Sequence, residues 1–340
     1  MRVTRETLIR LAKENAKTRA FDNKDIVAAY LIGSLINNEQ EPFLGGLTDI
    51  DLVFVTAGKA PRTREIVKLT GDFHLDITYH ARAEYNPPRE LRVNPWLGPE
   101  IYNPMLLYER EKFFDFIQAA VRGGFEFNGP ALTLQRCRTL LAHGRGCWTD
   151  LLEVDRMAKI EPKEVAHYLK AIYHAVCAVA ELNGNPLAER RLMLDFPTRA
   201  AQADRPQMAA GLAGLLGGPR LASGISTDWL DAWQKDYLAA AANGKADARI
   251  HASRVNYYRK AFDAMDGLSA LWPLLHTWTL SALVLSPAQS KDWQAAMSQL
   301  GLMGESFAEK VQGVDQFMDE VEILLDEIAS ANGLETSTSL

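Results

Sequence analysis

The chain is poor in cysteine. It has three among 340 residues, Cys137, Cys147 and Cys177, and none forms a Cys-x-x-Cys pair. That excludes the common zinc and dithiol motifs. Isolated thiols fit a reduced compartment, so a cytoplasmic location is expected, and each reads as a small core residue. No apolar run is long enough to span a bilayer. The stretch from Met1 to Glu6 has neither the apolar core nor the small-residue cleavage site of a secretion signal. Positive charge is also scarce: 37 Lys and Arg stand against 43 Asp and Glu, a formal net charge of -6. This argues against a broad nucleic-acid surface, whose affinity rests on basic side chains. Internal repeats are absent. What remains is an ordinary soluble composition, 47% hydrophobic and 24% charged, whose length suggests two domains.

The first part of the chain alternates helix and strand signals. Leu8, Leu11 and Ala12 give residues 4–17 one apolar face, with Thr4 as N-cap. Short β-rich runs predict strands over 26–32, 49–55, 73–80 and 105–108. A short helix is expected around 64–69, and residues 86–104, rich in Pro and Asn, are expected to be irregular. Phe113, Phe116, Ile117 and Ala120 predict a helix over 112–121, closed by Gly123-Gly124. Beyond Pro130 helical periodicity takes over. Helices are expected over 131–157, 162–182, 189–204, 206–216, 227–242, 248–266 and 305–331, and also over 268–300, broken by Pro273 and Pro287. The predicted domains are 1–125, with a small β-sheet, and 126–331, an all-helical bundle, with a disordered tail at 332–340.

Chemistry concentrates in the first part. The run Ala28 to Ile32 ends in Gly33-Ser34, and the next strand opens on Asp49-Ile50-Asp51. Residues two apart on a strand share a face, so Asp49 and Asp51 are placed side by side, which is costly unless a cation lies nearby. Oxygen ligands of this kind suit Mg²⁺. Asp76, on the following strand-like segment, adds a third carboxylate. Three strand-borne aspartates after a Gly-Ser bend suggest a two-metal phosphoryl-transfer site. The glycine lets backbone approach a phosphate without a Cβ in the way.

On these residues, about 26–121, the chain resembles the nucleotidyltransferase superfamily of DNA polymerase β type, and its plan is similar to aminoglycoside nucleotidyltransferases. The resemblance implies an α+β fold, with a small mixed-sheet catalytic domain followed by an all-α helical-bundle domain. It implies transfer of a nucleoside monophosphate, most simply AMP, from an NTP such as ATP with two Mg²⁺ ions and release of pyrophosphate. Asp49 and Asp51 would be the primary metal ligands, Asp76 the third ligand or the general base, and Gly33 with Ser34 the phosphate turn. The acceptor would be a hydroxyl on a small molecule, such as an aminoglycoside, or on a protein side chain. Fourteen residues separate Ser34 from Asp49, more than in compact versions of the motif, and Glu109 stands where many relatives have Asp.

Weaker signals lie elsewhere. The helix at 162–182 buries Val165, Leu169, Ile172, Val176 and Val179, with Lys163, His167, Lys170 and His174 opposite; Lys170 is its best candidate for a phosphate contact. Arg138 and His143 match the spacing of an RNase motif found in HEPN domains, a pairing common by chance on helices. His74 and His80 flank Asp76, and Lys59, Arg62, Arg64 and Arg82 lie around it. The last helix has an acidic face at Asp315, Asp319, Glu320, Glu322, Asp326 and Glu327. Trp96, Tyr102, Trp148 and Trp233 are candidate stacking surfaces. Two other function classes are compatible with the motif: a regulatory, antitoxin-like binding module, and an RNA-directed transferase, which the net charge disfavours.

Overall fold

The computed structural model describes residues 4–37, 49–70, 73–127, 129–152, 160–221, 225–265 and 267–336. The chain forms two compact units. One comprises 1–128 together with 253–264, and the other comprises 129–252 and 265–340. The expected α+β class is borne out.

The first unit opens with α1 (Arg5–Asp22), whose N-cap Thr4 accepts a hydrogen bond from the backbone N–H of Thr7. It continues through β1 (Ile26–Ile32), α2 (Ser34–Asn37), β2 (Ile50–Thr56), β3 (Arg64–Lys68), β4 (His74–Ala81), α3 (Leu97–Tyr102), β5 (Met105–Glu109) and α4 (Phe113–Phe127). The sheet order is β3-β4-β2-β1-β5. β2 and β4 run parallel, and the other neighbours are antiparallel.

Alternation along the strands builds two cores. Leu52, Phe54, Leu75 and Ile77 pack on the face covered by Leu8, Ala12, Ala16 and Ala20 of α1. Tyr30, Val53 and Val55 pack on the other face with Tyr85, Leu91, Ile101, Phe114 and Ile117. Asp49 and Asp51 are in phase with Val53, and Asp76 is out of phase with Leu75 and Ile77. All three therefore belong to this second face.

Two sequence expectations are corrected here. Residues 64–68 form a strand, not a helix: the β-branched pair Ile66-Val67 sits on an edge paired antiparallel to β4. Gly123-Gly124 does not end α4, which runs to Phe127. Gly124 instead makes room for Arg92, since a Cβ there would lie 2.2 Å from the Arg92 Cδ. Glu109 has a local role. Its Oε2 accepts the N–H of Phe114 (3.1 Å) and Asp115 (3.2 Å), capping the start of α4 where negative charge is favourable.

The second unit is helical: α5 (Gly129–Leu152), α6 (Pro162–Ala180), α7 (Leu192–Gln202), α8 (Gln207–Leu215) and α9 (Thr227–Ala241) precede the segment that returns to the first unit. That returning segment carries α10 (Val255–Ala264). After it come α11 (Leu271–Ala282), α12 (Lys291–Leu300) and α13 (Ser306–Ala331). Pro273 falls in the first turn of α11, where its missing N–H costs nothing. The expected apolar stripe of α6 is buried. His174 is buried too, against the ring of His143, rather than lying on an exposed face. No described helix is long and apolar enough to cross a membrane. The long insertion from Glu39 to Gly46, residues 153–157 of the first helix expected beyond Pro130, and tail residues 337–340 lie outside the described residues.

Candidate active site

β1 ends in a bend. Gly33 has φ +82°, in the left-handed region that favours glycine, and α2 begins at Ser34. A Cβ on Gly33 would lie 2.3 Å from Asp51 Oδ2. The Asp51 carboxylate thus fills the space that the missing side chain leaves, which ties the bend to the aspartates. Asp51 is the register partner of Asp76 across the parallel β2–β4 pair. Asp49 sits immediately before β2. Asp49 and Asp76 are buried, whereas Asp51 is half-buried.

Arginine dominates the electrostatics. Arg64 of β3 grips Asp76 with two hydrogen bonds, Nε to Oδ1 at 2.6 Å and NH2 to Oδ2 at 2.5 Å. Arg254 reaches the same face. Its NH2 donates to Asp49 Oδ2 at 2.9 Å, and its NH1 lies 3.1 Å from Asp76 Oδ2. Bidentate and bridging contacts of this kind suit the planar guanidinium. His74, fully buried, donates from Nε2 to the Ser253 carbonyl at 2.7 Å and places Nδ1 3.3 Å from Asp49 Oδ1. His74 therefore orients Asp49, and the flanking segment 253–254 is fastened at two points.

A second polar chain lies nearby on the same face. His80 Nδ1 lies 2.8 Å from Tyr85 Oη, Tyr85 and Tyr30 share a 2.6 Å hydrogen bond, and Tyr30 Oη donates to Glu100 Oε1 at 2.6 Å. Burial pushes the Glu100 carboxyl up to about 7. The Tyr30 hydrogen bond opposes this, and the charge of Asp51 adds to it.

Of the residues singled out in the sequence, Asp49, Asp51, Asp76 and Gly33 share one face of the first unit. Ser34 opens α2 directly after the bend. Lys170 belongs to the second unit, exposed on α6, where its charge acts on Cys147 and His174. Arg138 pairs with Asp326, and Trp148 and Trp233 donate their ring N–H to Val311 and Thr277 within the second unit. Sequence reasoning missed Arg254 and Glu100. Arg254 lies in an unremarkable helical stretch far along the chain, and Glu100 in a Pro-rich stretch that the sequence reads as irregular but that carries α3, so no spacing linked either to Asp49. Arg64 was one of four basic residues around Asp76, and only the register of β3 selects it.

The donor set can be tested against a divalent cation. Three carboxylates on one sheet face, one of them nested against a glycine bend, match a hard, oxygen-liganded ion in chemistry. Among the described residues, however, no trio of His, Cys, Asp or Glu is gathered as a metal cluster. The place between Asp49 and Asp76 is taken by the Arg254 guanidinium. The residues fit the ion in kind, with a side-chain cation in the bridging position.

No family model matches the chain. No curated protein matches it either. Among solved structures, it is similar to a nucleotidyltransferase-like protein from Exiguobacterium sibiricum 255-15, at 10% sequence identity and a TM-score of 0.31, covering 96% of this chain and 92% of that chain. A likeness this slight carries no argument about function.

Proposed function

We propose that the chain is a nucleotidyltransferase that moves a nucleoside monophosphate, most simply AMP, from an NTP to a hydroxyl acceptor on a small molecule or protein side chain. The observation that supports this is the nesting of Asp51 against the Gly33 bend, with Asp49 and Asp76 on the same face. The bend, with the Ser34 backbone N–H, is where the polyphosphate is received. The acceptor oxygen attacks the α-phosphorus, the bond from that phosphorus to the bridging oxygen breaks, and pyrophosphate leaves as the hydroxyl proton passes to water. Asp49, Asp51 and Asp76 would hold Mg²⁺, which when bound neutralises phosphate charge and acidifies the attacking hydroxyl. Asp76 is assigned as a ligand rather than a general base, because both of its oxygens already accept guanidinium N–H groups. Arg64 thereby fixes the Asp76 carboxylate in one orientation.

The test is pyrophosphate release from each NTP with Mg²⁺ over a panel of hydroxyl acceptors. Asp49→Asn and Asp51→Asn are expected to slow it on the order of 10³-fold, the loss of several kcal/mol of transition-state charge stabilisation. Equal rates in wild type and both variants would overturn the assignment. One observation favours a second reading, a nucleotide-binding regulatory module that transfers nothing: Arg64 and Arg254 together already balance Asp49 and Asp76. That reading expects NTP binding with no pyrophosphate from any acceptor.

A further inference from the structure

Arg254 stands where a bridging cation would stand. Its two terminal nitrogens lie 2.9 Å from Asp49 Oδ2 and 3.1 Å from Asp76 Oδ2. The three side chains are 4%, 1% and 3% exposed, so water screens them little. Asp49 and Asp76 bring two negative charges, and Arg64 and Arg254 bring two positive ones. A divalent ion placed between the same two carboxylates would face a guanidinium at close range in a weakly polarisable interior, where like charges repel strongly. The ion and the guanidinium exclude one another.

We infer that Arg254 is a built-in cation that keeps the Asp49–Asp76 position closed: a divalent ion enters it only when the guanidinium withdraws, and segment 253–264 loosens with it. This rests on the metal-dependent reading of the site given above. The segment is shaped for such a part. Arg254 lies against the rings of Tyr257 and Tyr258, 5.5 and 5.2 Å from their centroids. The Tyr257 ring meets His74 edge-on at 5.6 Å. The Ser253 carbonyl accepts a hydrogen bond from His74 Nε2–H, and the same ring faces Asp49. Moving Arg254 therefore disturbs both fastenings of the segment.

A purely structural ion pair and a placeholder differ in sign. Removing a structural pair leaves metal affinity unchanged or lowers it. Removing a placeholder raises it, because the apparent affinity is reduced by the fraction of molecules in the open form.

The experiment titrates the full chain with Mn²⁺, without nucleotide, and follows free Mn²⁺ by electron paramagnetic resonance. Wild type, Arg254→Met and Arg254→Lys are compared. If the open form is a minor state of about 10% or less, Arg254→Met binds Mn²⁺ about tenfold tighter or more, and Arg254→Lys, which keeps the charge, stays near wild type. In wild type alone, saturating Mn²⁺ is expected to speed amide exchange across 253–264. That second measurement holds even if Arg254→Met fails to fold. Measurable Mn²⁺ binding of equal or lower affinity in a folded Arg254→Met overturns the placeholder and leaves the transferase reading standing. So does unchanged exchange over 253–264 at saturation. No Mn²⁺ binding by either protein overturns both.

Discussion

Both units carry a carboxylate cluster held by arginine, and the two differ in depth. In the helical unit, Arg145 of α5 meets Asp315 at 2.5 Å, Glu322 at 3.4 Å and also Asp319, all on α13. Arg145 is 26% exposed and its partners 32% to 58%. In the sheet unit, Arg254 and its two aspartates are almost wholly enclosed. The helical cluster is a solvated seam between two helices, with water and salt able to replace any partner. The enclosed one has no substitute for a lost charge. An acidic run in sequence looks alike in both places, and only burial decides whether its arginine is decoration or a structural and chemical necessity.

The sharpest way to break this comparison is to remove one arginine from each setting. Arg254→Met is expected to cost about 3–5 kcal/mol in urea denaturation, the usual consequence of orphaning buried charge, with part recovered on adding Mg²⁺. Arg136→Met serves as a control on depth. Arg136 pairs with Glu181 at 2.5 Å in the helical unit, both buried, so it is expected to cost a similar amount. A small effect of Arg136→Met would mean that the unit, rather than burial, sets the cost.

A medium effect separates the units by pH. Burial, opposed by Tyr30 and reinforced by Asp51, raises Glu100 from 4.5 to about 7. Its contribution is full below about pH 4.5 and is lost as pH rises through about 7. In the helical unit, burial first, then the charges of Lys170 and His143, lower His174 from 6.5 to about 4. That contribution is present above about pH 6.5 and is lost as pH falls through about 4. Unfolding midpoints measured between about pH 4 and 7 should lose a component that falls as pH rises in Glu100→Gln and a component that rises with pH in His174→Leu. Slopes unchanged in either variant would break the assignment of that group.

The smallest expected effect is at the exposed seam. Arg145→Met is expected to change stability by about 0–1 kcal/mol, and less at high salt, despite three carboxylate partners. A loss comparable to that of Arg254→Met would show that burial is not the deciding variable.

Much of the architecture was legible because its causes are local. Short strand-like runs marked β1, β2, β4 and β5, and Thr4 marked the first cap. The period of α6 named its buried stripe. The acidic trio was legible because two of its members sit two apart on one strand and the third follows a similar run. What failed was set by tertiary contact. Residues 64–68 carry Arg, Glu and Lys around Ile66-Val67, and pairing with β4 overrides their weak helical pattern. Gly124 was read as a stop because a glycine's local meaning is a cap, while here it clears space for Arg92. Arg254 was illegible in principle: its partners are fixed by the return of the chain, and no period or spacing encodes a meeting with residues 49 and 76.

That return has a consequence for biogenesis. The sheet is complete by Phe127, yet the guanidinium that balances its buried aspartates is not made until well over a hundred residues later. Domains generally mature as they leave the ribosome, N-terminal part first. Here the early part must wait, with Arg64 on Asp76 but without the Arg254 bridge to Asp49, while the helical insert 129–252 is synthesised and the ends of that long loop are brought together. The nascent sheet should therefore be the step at which this protein most needs a chaperone.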